Sequence, residues 1–274
     1  DGLWKGIKRY DLYKEGMLPY EWQPKLQKVA TDLGLDFFST PFDLVGVDFL
    51  ETMNMPIYKI ASFEINDIPL IRYVAKKHKP MIISTGVADL DDIQLALDTC
   101  YKEGNYDISL LKCTSEYPAT YEQANLLTIP DMIHRFGIPV GVSDHTMGSL
   151  VPIVAVSLGA TIVEKHFILS RTNGGPDSAF SMEPNEFREM VDSIRNVERA
   201  LGNVKYDITD YQRGKRRSLY ARTDIHCGDV FTDQNVGSYR PGVGLSPQYW
   251  DQIMGKTCKR EIVKGDVLRQ EDLK

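Results

Sequence analysis

Cysteine is scarce in this chain of 274 residues and unpatterned. Its four cysteines, Cys100, Cys113, Cys227 and Cys258, stand far apart with no C-x-x-C pair, which argues against a zinc knuckle and a disulfide framework and leaves reduced packing residues. Long apolar runs are missing too: nothing approaches the about 20 residues of a membrane span, and the opening stretch DGLWKGIKRYDLYKEGMLPYEW lacks the apolar core of a signal peptide, so the cytoplasm is the expected setting. Positive charge is not in excess. A net charge of −6 without a basic stripe makes nucleic acid an unexpected partner, while a small anion at a local positive site is still allowed. No G-x-G-x-x-G follows the first strand and no Walker motif occurs.

What the chain does have is one repeated event between Leu35 and Phe167: a short apolar, β-rich run ends in polar residues and an amphipathic segment follows. The runs are DFFSTPF, IYKIASFE, PMIISTG, ISLLKCTSEYP, IPVGVSDHT and TIVEKHF. Apolar character without strict alternation suits parallel strands covered on both faces. Segments such as LDDIQLALDTCYKEG, apolar at Ile93, Leu95, Ala96, Leu97 and Cys100 and closed by Gly104, predict the covering helices. Polar residues at the C-terminal end of every run predict a (β/α)8 TIM barrel, whose active site lies at that face, over a doubly wound sheet with a single switch point. Six units do not close an eight-stranded barrel, so the favoured reading is that residues 1–202 are a barrel whose first two strands precede this chain. SMEPNEFREMVDSIRNVERALG, with Pro184 near its start and Gly202 at its end, predicts the last barrel helix.

After Gly202 the pattern changes. Residues 203–216 read as a polar linker, and residues 217–274 lack long helical periodicity. Within them DIHCGDVFTDQNV and EIVKGDVLRQEDL match at the opening acid-isoleucine, at Gly-Asp-Val and at the closing apolar residue. This internal duplication predicts a compact β domain with pseudo-two-fold symmetry. Between the copies, YRPGVGLSP predicts an exposed loop carrying Arg240.

His145 and His166 end consecutive predicted strands, which lie about 4.8 Å apart, so the two imidazoles can share a divalent ion and leave coordination positions open for a substrate oxygen. The alternative is two separate core histidines. Lys59, set among Ile57, Tyr58 and Ile60, needs an anion or carbonyl partner if buried. Snorkelling to solvent and Schiff-base chemistry are the other options. Hydroxyls recur at strand ends: Ser39 and Thr40, Ser62, Ser84 and Thr85, Thr114 and Ser115, and Ser143. One such residue is an ordinary helix cap, but five strand ends carrying them predict the lining of a pocket for a phosphorylated or hydroxylated ligand. Glu64 is a candidate proton carrier or sugar ligand, with a surface carboxylate as the alternative. RTNGGPDSAFSMEP predicts a shaped loop holding Asp177 over the barrel mouth, or a turn in which Asp177 caps the backbone.

Taken in order, STPFD, YKIAS, STG, CTSEYP, GVSDHT, EKHF, GGPDSAFSMEP and the duplicated C-terminal region with RPGVGL resemble the sialic-acid synthase family over nearly the whole chain. The resemblance implies a TIM barrel joined to a domain similar to type III antifreeze protein, the SAF or β-clip domain. It implies condensation of phosphoenolpyruvate with an open-chain N-acylated amino sugar to a nine-carbon 2-keto acid. GGPDSAFS and LWKG…YDLYKEG are similar to the branch of the family that makes pseudaminic acid, which implies 2,4-diacetamido-2,4,6-trideoxy-altrose as acceptor; N-acetylneuraminate or legionaminate synthesis is the alternative. By motif, His145 and His166 would ligate manganese or magnesium, and Thr40, Lys59, Ser62, Ser84, Ser115 and Ser143 would hold phosphoenolpyruvate. Glu64, Tyr117, Asp177 and Arg240 would contact the sugar, with Arg240 reaching the neighbouring subunit's barrel in a domain-swapped homodimer. Ser115 departs from the Asn common in sialic-acid synthases. The family's earlier Glu-Ile-Gly-x-Asn-His and Lys-Phe-Gln strands are not among these residues, and an open barrel exposes its edges, so an inactive fragment whose C-terminal domain binds or dimerises is a different-class alternative. Asp144 is expected either to orient His145 or to cap the following helix.

Overall fold

The computed structural model describes residues 8–273. The chain forms two compact units divided between Gly202 and Asn203.

In the first unit, α1 (Arg9–Gly16), α2 (Gln23–Asp32) and α3 (Leu44–Thr52) precede β1 (Tyr58–Ile60). Helix and strand then alternate through α4 (Ile68–Ala75), β2 (Met81–Ser84), α5 (Leu90–Lys102), β3 (Ile108–Cys113), α6 (Thr128–Phe136), β4 (Val140–Asp144), α7 (Leu150–Ser157), β5 (Val163–Lys165) and α8 (Pro184–Leu201). Aspartates start three of the helices: Asp43, Asp67 and Asp89 accept the backbone N–H groups of Gly46, Leu70 and Asp92, satisfying donors that the first turn leaves free. All five strands are parallel in the order β1-β2-β3-β4-β5. A doubly wound sheet reverses its strand order at a switch point; this sequential order is that of a (β/α)8 barrel, with five strands paired.

The pleat divides labour between the two faces. Tyr58, Ile60, Met81, Ile83, Ile108, Leu110, Val140 and Val142 face the helices and join the core with Ile71, Leu97 and Ile129. Lys59, Ser84, Cys113, Ser143 and Glu164 alternate with them and share the other face. The register aligns Cys113 with Ser143 and Ser143 with Glu164.

The run DFFSTPF departs from expectation. It has no regular secondary structure and no ladder partner among the described residues, so five strands pair where six runs were read. Phe37 packs on the core and Pro41 is buried, while Leu35, Phe38 and Phe42 are exposed, and a proline at the inward position has no N–H to offer a ladder.

The second unit contains α9 (Asp210–Gly214), β6 (Ser218–Ala221), β7 (Val236–Tyr239) and α10 (Trp250–Ile253), with β6 and β7 antiparallel. Its duplication is visible as symmetry. Ile225 and Ile262, equivalent in the two copies, exchange reciprocal N–H···O bonds of 2.9 Å each. The same offset relates Gly228 N–H to Cys258 O with Gly265 N–H to Ala221 O, and Phe231 N–H to Lys256 O with Leu268 N–H to Leu219 O. Equivalent side chains, Ile225 and Ile262 and then Phe231 and Leu268, fill the core.

Candidate active site

Strand pleating delivers a cation to the inner face. Lys59 is only 6% exposed, and its ammonium is satisfied rather than snorkelling: Nζ donates to Ser84 Oγ at 2.8 Å and to Ile60 O at 3.1 Å, and lies 3.5 Å from Glu164 Oε2. Beside it three polar side chains close around Gly86. The Gly86 N–H donates to Ser62 Oγ at 3.1 Å, and a Cβ placed on Gly86 would come within 2.2 Å of Ser115 Oγ, 2.9 Å of Ser62 Oγ and 3.0 Å of Cys113 Sγ. Glycine is there because the hydroxyls converge on its missing side chain. Burial raises the Cys113 thiol, but His145, Ser62, Ser115 and Ser143 around it outweigh burial and bring it down to about 7.

Two imidazoles stand at the ends of β4 and β5, as their strand positions imply. The ring centroids of His145 and His166 are 5.1 Å apart. His145 is buried, and its Nδ1 is 2.8 Å from Thr114 O, which fixes the ring and points Nε2 away from that carbonyl. Tyr117 lies against His145 at 4.3 Å between centroids, and the buried Phe180 lies 5.0 Å from His166. Asp177 Oδ2 is 3.7 Å from His166 Nδ1. The loop carrying it is tied down by Ser181, whose N–H and Oγ both donate to Asp177 O. Burial pulls the His145 pKa down, but bonding to Cys113 and to the Thr114 carbonyl leaves it raised. His166 is lowered by burial and then by the neighbouring His145. Tyr117 is pushed up to about 12 by burial and by the acids near it.

Carboxylates complete the inner face. Ser143 Oγ donates to Glu164 Oε1 at 2.7 Å. In the turn after β1, Glu64 has a buried Oε2 without a hydrogen-bond partner among the described residues, and burial, chiefly, raises its pKa. That is the environment of a carboxyl group kept protonated so that it can donate.

Of the residues expected from sequence, Lys59, Ser62, Ser84, Ser115, Ser143, Tyr117, His145, His166 and Asp177 are linked through these contacts. Thr40 is half-buried on the unpaired segment and makes no side-chain hydrogen bond among the described residues. Arg240 belongs to the second unit, where it lines a cleft of about 450 Å³ with Tyr220, Arg222, Tyr239 and Lys264. Asp144 caps no helix and makes no hydrogen bond to the His145 ring. Its carboxylate binds Thr146 N–H, Thr146 Oγ1 and Lys165 Nζ, while the His145 ring is held by Thr114 and the next helix starts at Leu150. Glu164, Cys113 and Phe180 were not foreseen; the signal for Glu164 was available, because Glu-Lys-His in a strand puts Glu164 and His166 on one face.

Among the described residues no group of three or more His, Cys, Asp and Glu side chains is arranged to hold a metal ion. A pair of imidazoles still suits an ion that takes its remaining ligands from water and substrate. The carbonyl behind His145 Nδ1 is the partner that metal-binding histidines use to fix tautomer and orientation. The residues present therefore fit a two-histidine divalent site.

The NeuB family model matches residues 1–206 and the SAF domain model residues 216–274. Pseudaminic acid synthase of Campylobacter jejuni is 41% identical over 276 residues, covering 100% of this chain and 80% of its own. N,N'-diacetyllegionaminic acid synthase of Legionella pneumophila is 36% identical, covering 97% of this chain and 77% of its own. The solved structure of spore coat polysaccharide biosynthesis protein SpsE from Bacillus subtilis superposes with a TM-score of 0.66 at 31% identity, over 98% of this chain and 81% of that one. With its parallel strands in barrel order, a polar cluster at their C-terminal ends and a duplicated C-terminal unit, this chain belongs to the NeuB family and carries a SAF domain.

Proposed function

We propose that the protein is a pseudaminic acid synthase, a transferase condensing phosphoenolpyruvate with 2,4-diacetamido-2,4,6-trideoxy-altrose to give pseudaminic acid and phosphate. The observation that carries the reading is the meeting, on one face, of a buried lysine and hydroxyl cluster suited to an anion with a pair of imidazoles suited to a metal. The sugar assignment is supported by the 41% identity to the Campylobacter jejuni enzyme.

In this reading Lys59, Ser62, Ser84 and Ser115 receive the carboxylate and phosphate of phosphoenolpyruvate, and Ser143 borders them. His145 and His166 would hold manganese or magnesium, which would supply Lewis-acid polarisation of the sugar aldehyde. C3 of phosphoenolpyruvate then bonds to the aldehyde carbon, and positive charge develops at C2. Lys59 keeps the carboxylate in place while Glu64 gives its proton to the new alkoxide. Water adds to C2 and passes a proton to Glu164, which Ser143 and Lys59 hold beside the anion site. The bond between C2 and the bridging phosphate oxygen then breaks while the C2 hydroxyl gives its proton to that departing oxygen, so phosphate leaves and the ketone remains. Tyr117 and Asp177 flank the imidazoles on the sugar side. A homodimer in which Arg240 serves the neighbouring subunit's sugar belongs to the same reading.

An acid must be protonated to act, and burial raises Glu64, so turnover extends above the ordinary carboxylate range and falls as pH climbs through that raised pKa. Glu64→Gln is expected to lower kcat on the order of 100-fold with little change in KM and to abolish that alkaline fall, as read from pH–rate profiles of both proteins. The sugar assignment is tested by offering the diacetamido altrose, its legionaminate counterpart and N-acetylmannosamine in parallel and identifying products by mass. Preference for the altrose is expected, and preference for N-acetylmannosamine contradicts it.

A further inference from the structure

Behind the two imidazoles, on the helix-facing side of the sheet, lies an ion pair that the proposed chemistry does not use. Lys165 Nζ is 2.6 Å from Asp144 Oδ2, with the two side chains 1% and 2% exposed. The two residues are directly opposite in the β4–β5 register. Each immediately precedes one of the imidazoles in sequence, Asp144 before His145 and Lys165 before His166. The pair also grips the chain beyond His145: Lys165 donates to Thr146 O, and Asp144 accepts both Thr146 N–H and Thr146 Oγ1.

Burying two charges this deeply costs several kcal/mol per ion before their attraction offsets it, so apolar residues of similar size serve stability about as well. What an apolar pair lacks is direction. Hydrogen bonds from one carboxylate and one ammonium fix the β4 end, the β5 end and the turn at Thr146 against one another, which sets where His145 and His166 leave the sheet. We infer that Asp144 and Lys165 are positioning residues that hold the two imidazoles at metal-sharing separation from the opposite face of the sheet. The inference rests on the metal reading above and deepens it.

The test is Mn2+ binding to the full chain, followed by electron paramagnetic resonance, in the parent and in the double variant Asp144→Asn with Lys165→Met. The double variant removes both charges together, and Asn retains an acceptor for Thr146 N–H. Its thermal midpoint is expected to stay near the parent's while Mn2+ affinity falls about 10-fold or more, the loss usual for supports of metal ligands. A folded double variant that binds Mn2+ within about twofold of the parent overturns the inference. Should the double variant not fold, Asp144→Asn alone, which is isosteric, is read in the same way. If the parent itself takes up no Mn2+, the metal reading fails separately. The positioning role is then decided by ring-proton Overhauser contacts between His145 and His166 in metal-free protein: loss in the variant upholds it, and retention overturns it.

Discussion

Gly86→Ala is expected to raise the KM for phosphoenolpyruvate about 100-fold or more while leaving the protein folded. The added methyl would sit 2.2 Å from Ser115 Oγ and 2.9 Å from Ser62 Oγ, so both hydroxyls must move. They can, because each is the free end of a rotatable side chain, and the fold therefore survives. The positions they abandon are the ones that face the ligand. A hydrogen bond to a charged group contributes about 1.5–3 kcal/mol, so losing two at the low end is about 3 kcal/mol, a factor of about 100 in affinity. Titration of phosphoenolpyruvate into the variant, with the thermal midpoint recorded alongside, separates the two effects. Unchanged affinity in a folded variant would place the anion elsewhere.

Lys59→Met is expected to be more severe, lowering kcat/KM on the order of 1,000-fold. Met has nearly the length and volume of Lys, so the buried strand can still pack. Removed are the ammonium bonds to Ser84 and Ile60 and the charge beside Glu164. Glu164 and the incoming carboxylate then face each other without a cation between them. Truncating one partner of a buried, hydrogen-bonded charge pair costs about 2–5 kcal/mol, and about 4 kcal/mol corresponds to the stated factor. Steady-state kinetics at saturating sugar measures it. An aldolase using Lys59 as a Schiff base would lose activity too, so the parent is also treated with borohydride and substrate: no adduct on Lys59 is expected.

The barrel was legible because each run ends in polar residues at the same end, a pattern that survives whatever the helices do. DFFSTPF misled because its composition is that of a strand, while pairing is decided by tertiary structure: Phe37 packs on the core there, and the buried Pro41 has no N–H to give a ladder. The duplication near the C-terminus was legible as repetition, and the structure turns it into reciprocal hydrogen bonds between Ile225 and Ile262. In the site, residues read one strand at a time, such as Lys59, Ser143 and the two histidines, came together. What a single strand cannot show is the register that brings Glu164 to Ser143 and Lys165 to Asp144. Wide spacing marks Cys113 as a packing residue, yet its company is serines and an imidazole, which no cysteine spacing reveals.

The central claim is that the strand-end cluster joins phosphoenolpyruvate to an amino sugar with the help of a metal at His145 and His166. Release of phosphate from phosphoenolpyruvate tests it most directly, measured with and without the diacetamido altrose, after chelation and after restoring Mn2+. Phosphate is predicted to appear only when sugar and metal are both present and to return on adding Mn2+. Phosphate release by the chelated, metal-free protein at the undiminished rate would contradict it.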